Sequence, residues 1–308
     1  MTAEIIDGKA IAAQVLAELK PRVEALRSRG VQPGLAFVLV GENPASISYV
    51  KGKARDCVEV GIESETIRLP DTTSQQDVID LVRQLNADPK WHGQIVQLPL
   101  PDHMDEEAVI ATVDPAKDVD GIHPESVGKL LRGVPAYIGA TPAGVQQLLL
   151  RSGHAPDGKR VVICGRSNLV GKPLAALLMQ KREGANATVT VCHTSTTDLG
   201  ELTRQADILV AAMGRAGTIT ADMVRNGAVV IDVGTNSIPD ASKKSGQRLV
   251  GDVDFEAVSE KAAANTPVPG GVGPMTRAML LVNTVLAAEG GPQRRNAGSA
   301  NDQYRARH

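Results

Sequence analysis

RVVICGRSNLVGKP, residues 160–173, decides the fold. RVVIC is an apolar, β-branched run of strand length, Gly165 lets the backbone turn tightly, and Pro173 suits the first turn of a helix over 173–182. A strand that passes through a glycine loop into a helix is the repeating unit of a parallel sheet. The N–H groups of that helix's first turn have no partner within the helix and can face a phosphate, and Gly171 admits close approach. The loop lacks the G-x-G-x-x-G spacing, so alone it stands equally for a nucleotide site and for an ordinary βα turn.

The same rhythm extends in both directions. Downstream, ATVTVC, DILVAA and AVVIDV read as strands at 187–192, 207–212 and 228–233, with a short helix at 199–205, and a helix at 142–151 precedes the loop. Upstream, helices at 9–29, 44–60 and 74–86 alternate with strands at 35–40, 62–69 and 94–98, and a short helix follows at 105–113. Gly133, Pro135, Gly139 and Pro142 interrupt the pattern between the halves. The expectation is an α/β fold of two domains: an N-terminal α/β catalytic domain, 1–140, and a Rossmann-like parallel-sheet domain, 141–275. A last helical pattern reaches 288, and a polar, aperiodic tail, 289–308, is expected to be mobile.

Composition narrows the function classes. The 308 residues include 42% hydrophobic and 22% charged positions with a net charge of -2, an ordinary globular balance without the basic stripe of a nucleic-acid binder. One Trp, three Tyr and two Phe leave little for base stacking. No run approaches the ~18 apolar residues of a membrane span, so a cytoplasmic protein is expected. Cys57, Cys164 and Cys192 are far apart, and the six histidines form no metal-binding pair, so neither disulfides nor a metal is expected.

Several residues stand out chemically. After ATVTVC come His193, Thr194 and Ser195, where an NAD site commonly places an acid for the ribose 2′-hydroxyl. With no carboxylate there, Arg166 and the Thr194 hydroxyl can instead receive a 2′-phosphate, which favours NADP; Arg166 can equally be a surface charge. Tyr49 and Lys53 lie four residues apart on helix 44–60 and share a face, with Cys57 one turn on. This suits either a desolvated, proton-exchanging lysine or an ordinary amphipathic helix. Gly52 between them costs a helix ~1 kcal/mol unless something packs closely there. GQIVQLPLPD places Gln97 just beyond a buried strand, and Asp114, Asp118 and Asp120 cluster before Gly121 as possible turn formers. TPVPGGVGPMT, 266–276, holds three prolines and three glycines: a shaped loop nearly without side chains, which also reads as a rigid interdomain connector.

Taken together, YVKGKARDCVEVGI (49–62), IVQLPLP (95–101), DVDGIHP (118–124), GRSNLVGKP, VIDVGTN (230–236), GDV (251–253) and TPVPGGVGPMT resemble the bifunctional methylenetetrahydrofolate dehydrogenase/cyclohydrolase family, over about residues 1–288. The resemblance implies an active cleft between the domains, a last helix, 276–288, that returns to complete the first domain, and a homodimer formed through the cofactor domain. It implies oxidation of 5,10-methylenetetrahydrofolate with NADP and hydrolysis of the methenyl product to 10-formyltetrahydrofolate, within one-carbon metabolism and purine biosynthesis. The substrate is a folate, polyglutamylated in some forms. By the same resemblance Lys53 is the general acid/base, Gln97 tunes it, Tyr49 packs on the folate and Asp120 binds the pterin. Leu98, Pro269, Gly270 and Gly271 line the substrate, while Gly165, Arg166, Ser167, Gly171, Pro173, Thr194, Thr235, Gly273 and Thr276 hold NADP. Thr194 stands where relatives often carry serine and keeps the hydroxyl.

Rival readings place the chain elsewhere. Tyr-x-x-x-Lys also serves short-chain dehydrogenases, but there the pair follows the nucleotide loop, whereas Tyr49 and Lys53 precede Gly165 by over a hundred residues. An amino-acid dehydrogenase-like NADP enzyme shares the two-domain layout, and a non-catalytic NADP-binding module would not need Lys53, Gln97 and Asp120.

Overall fold

The structure, a computed structural model, describes residues 2–243 and 246–292. Most of the expected tail, from residue 293 on, lies outside them. In chain order the elements are β1 (Glu4–Ile5), α1 (Gly8–Arg27), β2 (Gly34–Val40), α2 (Pro44–Val60), β3 (Glu63–Leu69), α3 (Gln75–Ala87), β4 (Gly93–Val96), α4 (Glu106–Ile110), α5 (Pro124–Leu131) and α6 (Ala140–Arg151). There follow β5 (Arg160–Cys164), α7 (Gly171–Leu178), β6 (Thr188–Cys192), α8 (Leu199–Thr203), β7 (Ile208–Ala211), a 3₁₀ turn (Ala221–Met223), β8 (Val229–Asp232), β9 (Asn236–Pro239), β10 (Gln247–Val250), α9 (Phe255–Ser259), β11 (Ala264–Asn265) and α10 (Val272–Ala288).

The described residues divide into two compact units: those up to Ala12 with those from Thr141 to Thr276, and Ala13–Ala140 with those from Arg277 on. The second of these is built on a three-stranded parallel sheet ordered β3-β2-β4. Every residue of GLAFVLV in central β2 is buried, as a strand covered on both faces requires. Val38, Val40, Val78, Val82, Trp91 and Val96 form the core on one face. Caps fix the helices: Asn43 accepts from Ala45 N and Ser46 N at the start of α2, and Gly61 ends it at φ +85.

The other unit carries a six-stranded, all-parallel sheet ordered β1-β11-β8-β7-β5-β6. The chain runs from β5 outward to β6, then returns across β5 to β7. Strand order therefore reverses between β5 and β7, and the crevice beyond their carboxyl ends is where such sheets receive ligands.

Several elements differ from the sequence reading. The first domain was expected to begin at residue 1, yet β1 pairs with β11 and Ala3 is buried in the core of the six-stranded unit. Two-residue strands carry no periodic signal, and their pairing partner lies far along the chain. The antiparallel pair β9–β10 and helices α5 and α9 were also unforeseen. Helix α7 begins at Gly171, two residues early, and ends at Leu178. Among the described residues, no helix is long and apolar enough to cross a membrane, and no group of three His, Cys, Asp or Glu side chains is placed to hold a metal.

Candidate functional site

In the three-stranded unit, helix α2 and the segments after β4 bring Lys53, Gln97 and Asp120 together. Lys53 is only 6% exposed, and its Nζ donates to Gln97 Oε1 at 3.1 Å. Burial pushes the Lys53 amine below its ordinary range, while the charge of the Asp120 carboxylate opposes that shift. The Gln97 amide nitrogen donates to Leu98 O at 2.7 Å, which fixes the amide with its oxygen toward Lys53. Tyr49, one turn before Lys53, is half-buried, whereas Lys51 is exposed. Cys57 is buried, and loss of solvent raises its thiol to about 12, so it is a packing group and not a nucleophile.

The three clustered aspartates separate into distinct tasks. Asp114 caps its own turn by accepting from Ala116 N. Asp118 is buried and folds the DVDGIHP loop by accepting from Ile122 N at 3.2 Å and His123 N at 2.9 Å; burial raises its carboxyl to about 6. Asp120 stays half-buried and is the acid whose field reaches Lys53. Gly121 follows at φ +68, where a Cβ would meet Gly139 N at 2.5 Å. Asn283, on α10, donates to both Val119 O and Ile138 O and pins this loop. Its contribution was not visible in the sequence, where it is one amide in an apolar helical pattern.

The other unit gathers the residues expected to hold the nucleotide. Gly165, at φ +130, hydrogen-bonds through its N–H to Cys192 O, and a Cβ on it would overlap the Ala212 carbonyl across the switch point. The Gly171 Cβ position is occupied by the Gly165 carbonyl, so the close approach there is made by the chain itself. Pro173 is buried in the first turn of α7, and the Ser167 hydroxyl accepts from Val170 N. Arg166 is exposed, and among the described residues no carboxylate pairs with it. Beyond β6, the His193 N–H donates to Thr196 Oγ1 and the Ser195 N–H to His193 Nδ1. That turn leaves Thr194 exposed with no acid beside it in sequence. A guanidinium and a hydroxyl with no acid beside them in sequence fit a phosphorylated ribose better than a ribose diol.

The loop after β11 closes on itself. Thr266 anchors it by bonding to Val230 O and accepting from Asp232 N, and a Cβ on Gly271 would meet Pro267 O at 2.7 Å. Pro269 is exposed and Gly270 takes φ +119. Helix α10 starts at Val272, so Gly273 lies in its first turn, and Thr276 Oγ1 lies 3.0 Å from Thr141 Oγ1. Thr235 is exposed after β8.

Two acids in matched motifs had received no role from the sequence. Fully buried Asp252 accepts N–H bonds from Met213, Gly214 and Arg215 and from the Asn236 amide, tying the loops after β7 and β8 together. Asp232 accepts from Gly234, Asp252 and Val253 N–H groups, and burial raises its carboxyl to about 6. Isolated carboxylates at the ends of apolar strands were the available signal.

Comparison with known proteins gives a consistent result. The tetrahydrofolate dehydrogenase/cyclohydrolase catalytic-domain profile matches residues 6–120, and the NAD(P)-binding-domain profile of the same family matches residues 139–291. The chain is 57% identical over 286 residues to the bifunctional protein FolD of Salinibacter ruber, covering 93% of this chain and 96% of that one. Among solved structures, it is similar to the bifunctional FolD enzyme of Campylobacter jejuni, with a TM-score of 0.88, 46% identity, and coverage of 94% of this chain and 99% of that chain. It is likewise similar to the Trypanosoma brucei dehydrogenase-cyclohydrolase complexed with NADP cofactor and inhibitor, with a TM-score of 0.89, 39% identity, and coverage of 96% and 100%.

Proposed function

The chain belongs to the tetrahydrofolate dehydrogenase/cyclohydrolase family, and from that premise we propose how its residues divide the work of two consecutive reactions. The protein is an NADP-dependent methylenetetrahydrofolate dehydrogenase and methenyltetrahydrofolate cyclohydrolase. NADP⁺, when bound, supplies the hydride acceptor for the first reaction. Positioning is the main requirement of that step. Asp120, a half-buried carboxylate, accepts hydrogen bonds from the pterin amino and ring N–H groups, Tyr49 packs on the folate, and Leu98 with Pro269, Gly270 and Gly271 lines the substrate. Arg166, Ser167 and Thr194 would hold the nucleotide phosphates, with Gly165, Gly171, Pro173, Thr235, Gly273 and Thr276 forming the rest of that site.

Hydrolysis needs a proton carrier. Water adds to the methenyl carbon and loses a proton to the Lys53 amine. As the bond from that carbon to N5 breaks, the amine returns the proton to N5 while the new hydroxyl becomes the formyl carbonyl and releases its remaining proton to solvent, leaving 10-formyltetrahydrofolate. The observation that carries this assignment is the buried Lys53 amine, held at 3.1 Å by a neutral partner, Gln97, rather than by a carboxylate. A neutral partner, unlike a carboxylate, adds no charge that would oppose the lowering of the amine by burial.

The proposal extends to a cytoplasmic homodimer paired through the NADP-binding domain, where β6 is an edge strand with Val191 exposed, and to acceptance of polyglutamylated folates for purine biosynthesis. The reading is tested by supplying 5,10-methylenetetrahydrofolate and NADP⁺ to the purified protein. NADPH and 10-formyltetrahydrofolate should form in equal amounts. Accumulation of methenyltetrahydrofolate that decays no faster than in buffer would refute the cyclohydrolase half.

A further inference from the structure

Helix α10 reaches other parts of its unit through two polar side chains. Near its start, Arg277 lies against α2, where a Cβ at Gly52 would stand 3.3 Å from Arg277 Cδ. Further along, Asn283 is 1% exposed in an apolar stretch, and its amide nitrogen donates to two main-chain carbonyls, Val119 O at 2.8 Å and Ile138 O at 2.9 Å. The two carbonyls belong to separate segments, one leading into Asp120 and the other into Gly139 and Ala140. Those segments meet again beyond the amide. Ala140 N donates to Asp120 O at 3.3 Å, and a Cβ at Gly121 would stand 2.6 Å from Ile138 C.

A carbonyl and the N–H that follows it share one planar peptide unit. The Val119 carbonyl therefore belongs to the plane that enters Asp120, and the Asp120 carbonyl to the plane that leaves it. Asn283 holds the first plane and Ala140 the second, which fixes both dihedral angles of Asp120 and the direction in which its side chain departs. Among the described residues no donor reaches the half-buried Asp120 carboxylate itself, so the backbone sets its aim. We propose that Asn283 is a positioning residue for the Asp120 carboxylate: it clamps the peptide unit before Asp120 to the 138–140 segment and so aims the acid. Asn283→Leu keeps the bulk of the side chain and removes the donor that both buried carbonyls share. The peptide unit then turns, and the carboxylate moves with it. The inference rests on the proposed role of Asp120 only for its effect on folate.

The test follows Asp120 through the Lys53 amine, on which its charge acts. Gln97 and Cys57 also face the amine, but the amide is neutral and the thiol is raised to about 12, so neither carries charge in the range titrated. In the full-length protein carrying ¹³C-labelled lysine, the Lys53 side-chain resonance is assigned by its loss in Lys53→Met and titrated by NMR. Asp120→Asn should lower the midpoint, because it removes the charge that opposes burial. Asn283→Leu should lower it by about half a pH unit, roughly a threefold change in proton affinity, and should add nothing in an Asp120→Asn background. Asn283→Ser, which keeps a single donor, should move it less. An unchanged midpoint in Asn283→Leu would overturn the proposal. So would an equal fall with and without the Asp120 carboxylate, since a general loosening of the core does not need that acid. If Asn283→Leu does not fold, Asn283→Ser is read in the same two backgrounds, and the same outcomes decide. Tetrahydrofolate binding, measured by calorimetry, judges the reading of Asp120 separately. Asp120→Asn should weaken it at least ~10-fold. An unchanged affinity there would remove Asp120 from the pterin and leave the titration result standing.

Discussion

Gln97 presents its amide oxygen to the Lys53 amine at 3.1 Å because its amide nitrogen is committed to the Leu98 carbonyl at 2.7 Å. The neutral acceptor orders the amine without adding a negative charge. Gln97→Glu adds that charge, which raises a neighbouring amine by roughly one to three pH units. Methenyl hydrolysis near neutrality should fall at least ~10-fold and its pH–rate profile move to higher pH. An unshifted profile would mean that Gln97 does not tune Lys53.

Arg166 is an exposed guanidinium, and no acid follows β6 where an NAD site commonly places one, so the proposed selection of NADP is assigned to Arg166. Arg166→Ala should raise the apparent Michaelis constant for NADP at least ~10-fold while changing that for NAD far less. Equal effects on the two cofactors would exclude contact with the 2′-phosphate.

At the switch point the backbone leaves no room for a side chain. Gly165 combines φ +130 with a Cβ position that overlaps the Ala212 carbonyl. Gly165→Ala should cost at least ~2 kcal/mol, seen as a thermal midpoint lower by several degrees, and should weaken NADP binding in titration calorimetry. A wild-type midpoint with wild-type affinity would show that the loop has slack.

The buried Asp118 carboxyl makes stability depend on pH in a defined sense. Its native value, about 6, lies above the ordinary 3.8, so between these values the folded chain binds more protons than the unfolded one. Stability contributed by this group is therefore full below the unfolded value and is lost as pH rises through about 6. Trp91, the single tryptophan, is buried in the same unit and reports its unfolding. Comparing urea midpoints at about pH 4.5 and about pH 7, Asp118→Asn should flatten the decline that the wild type shows. An identical decline in the variant would place the pH dependence elsewhere.

Much of this arrangement was readable in advance where the signal is local. The wholly apolar β2, the caps Asn43 and Gly61, and the strand–glycine–helix unit at β5 to α7 each carry their own periodic or conformational mark. Contacts made across long sequence separations carry none. Arg277 reaches Asp56 over 221 residues and Asn283 reaches Val119 over 164, and a lone arginine or asparagine in a helical pattern does not say what it will meet. The anomaly at Gly52 could be seen in the sequence, but not the side chain that fills it. Likewise β1 and β11 are too short to announce themselves, and the polar pair β9–β10 alternates too weakly to be distinguished from a loop.

Lys53→Met decides whether the buried amine carries the proton of hydrolysis. With methenyltetrahydrofolate decay followed separately from NADPH formation, hydrolysis should fall at least ~100-fold while the dissociation constant for NADP stays at its wild-type value. Methenyl hydrolysis at the wild-type rate in that variant would contradict the assignment of Lys53.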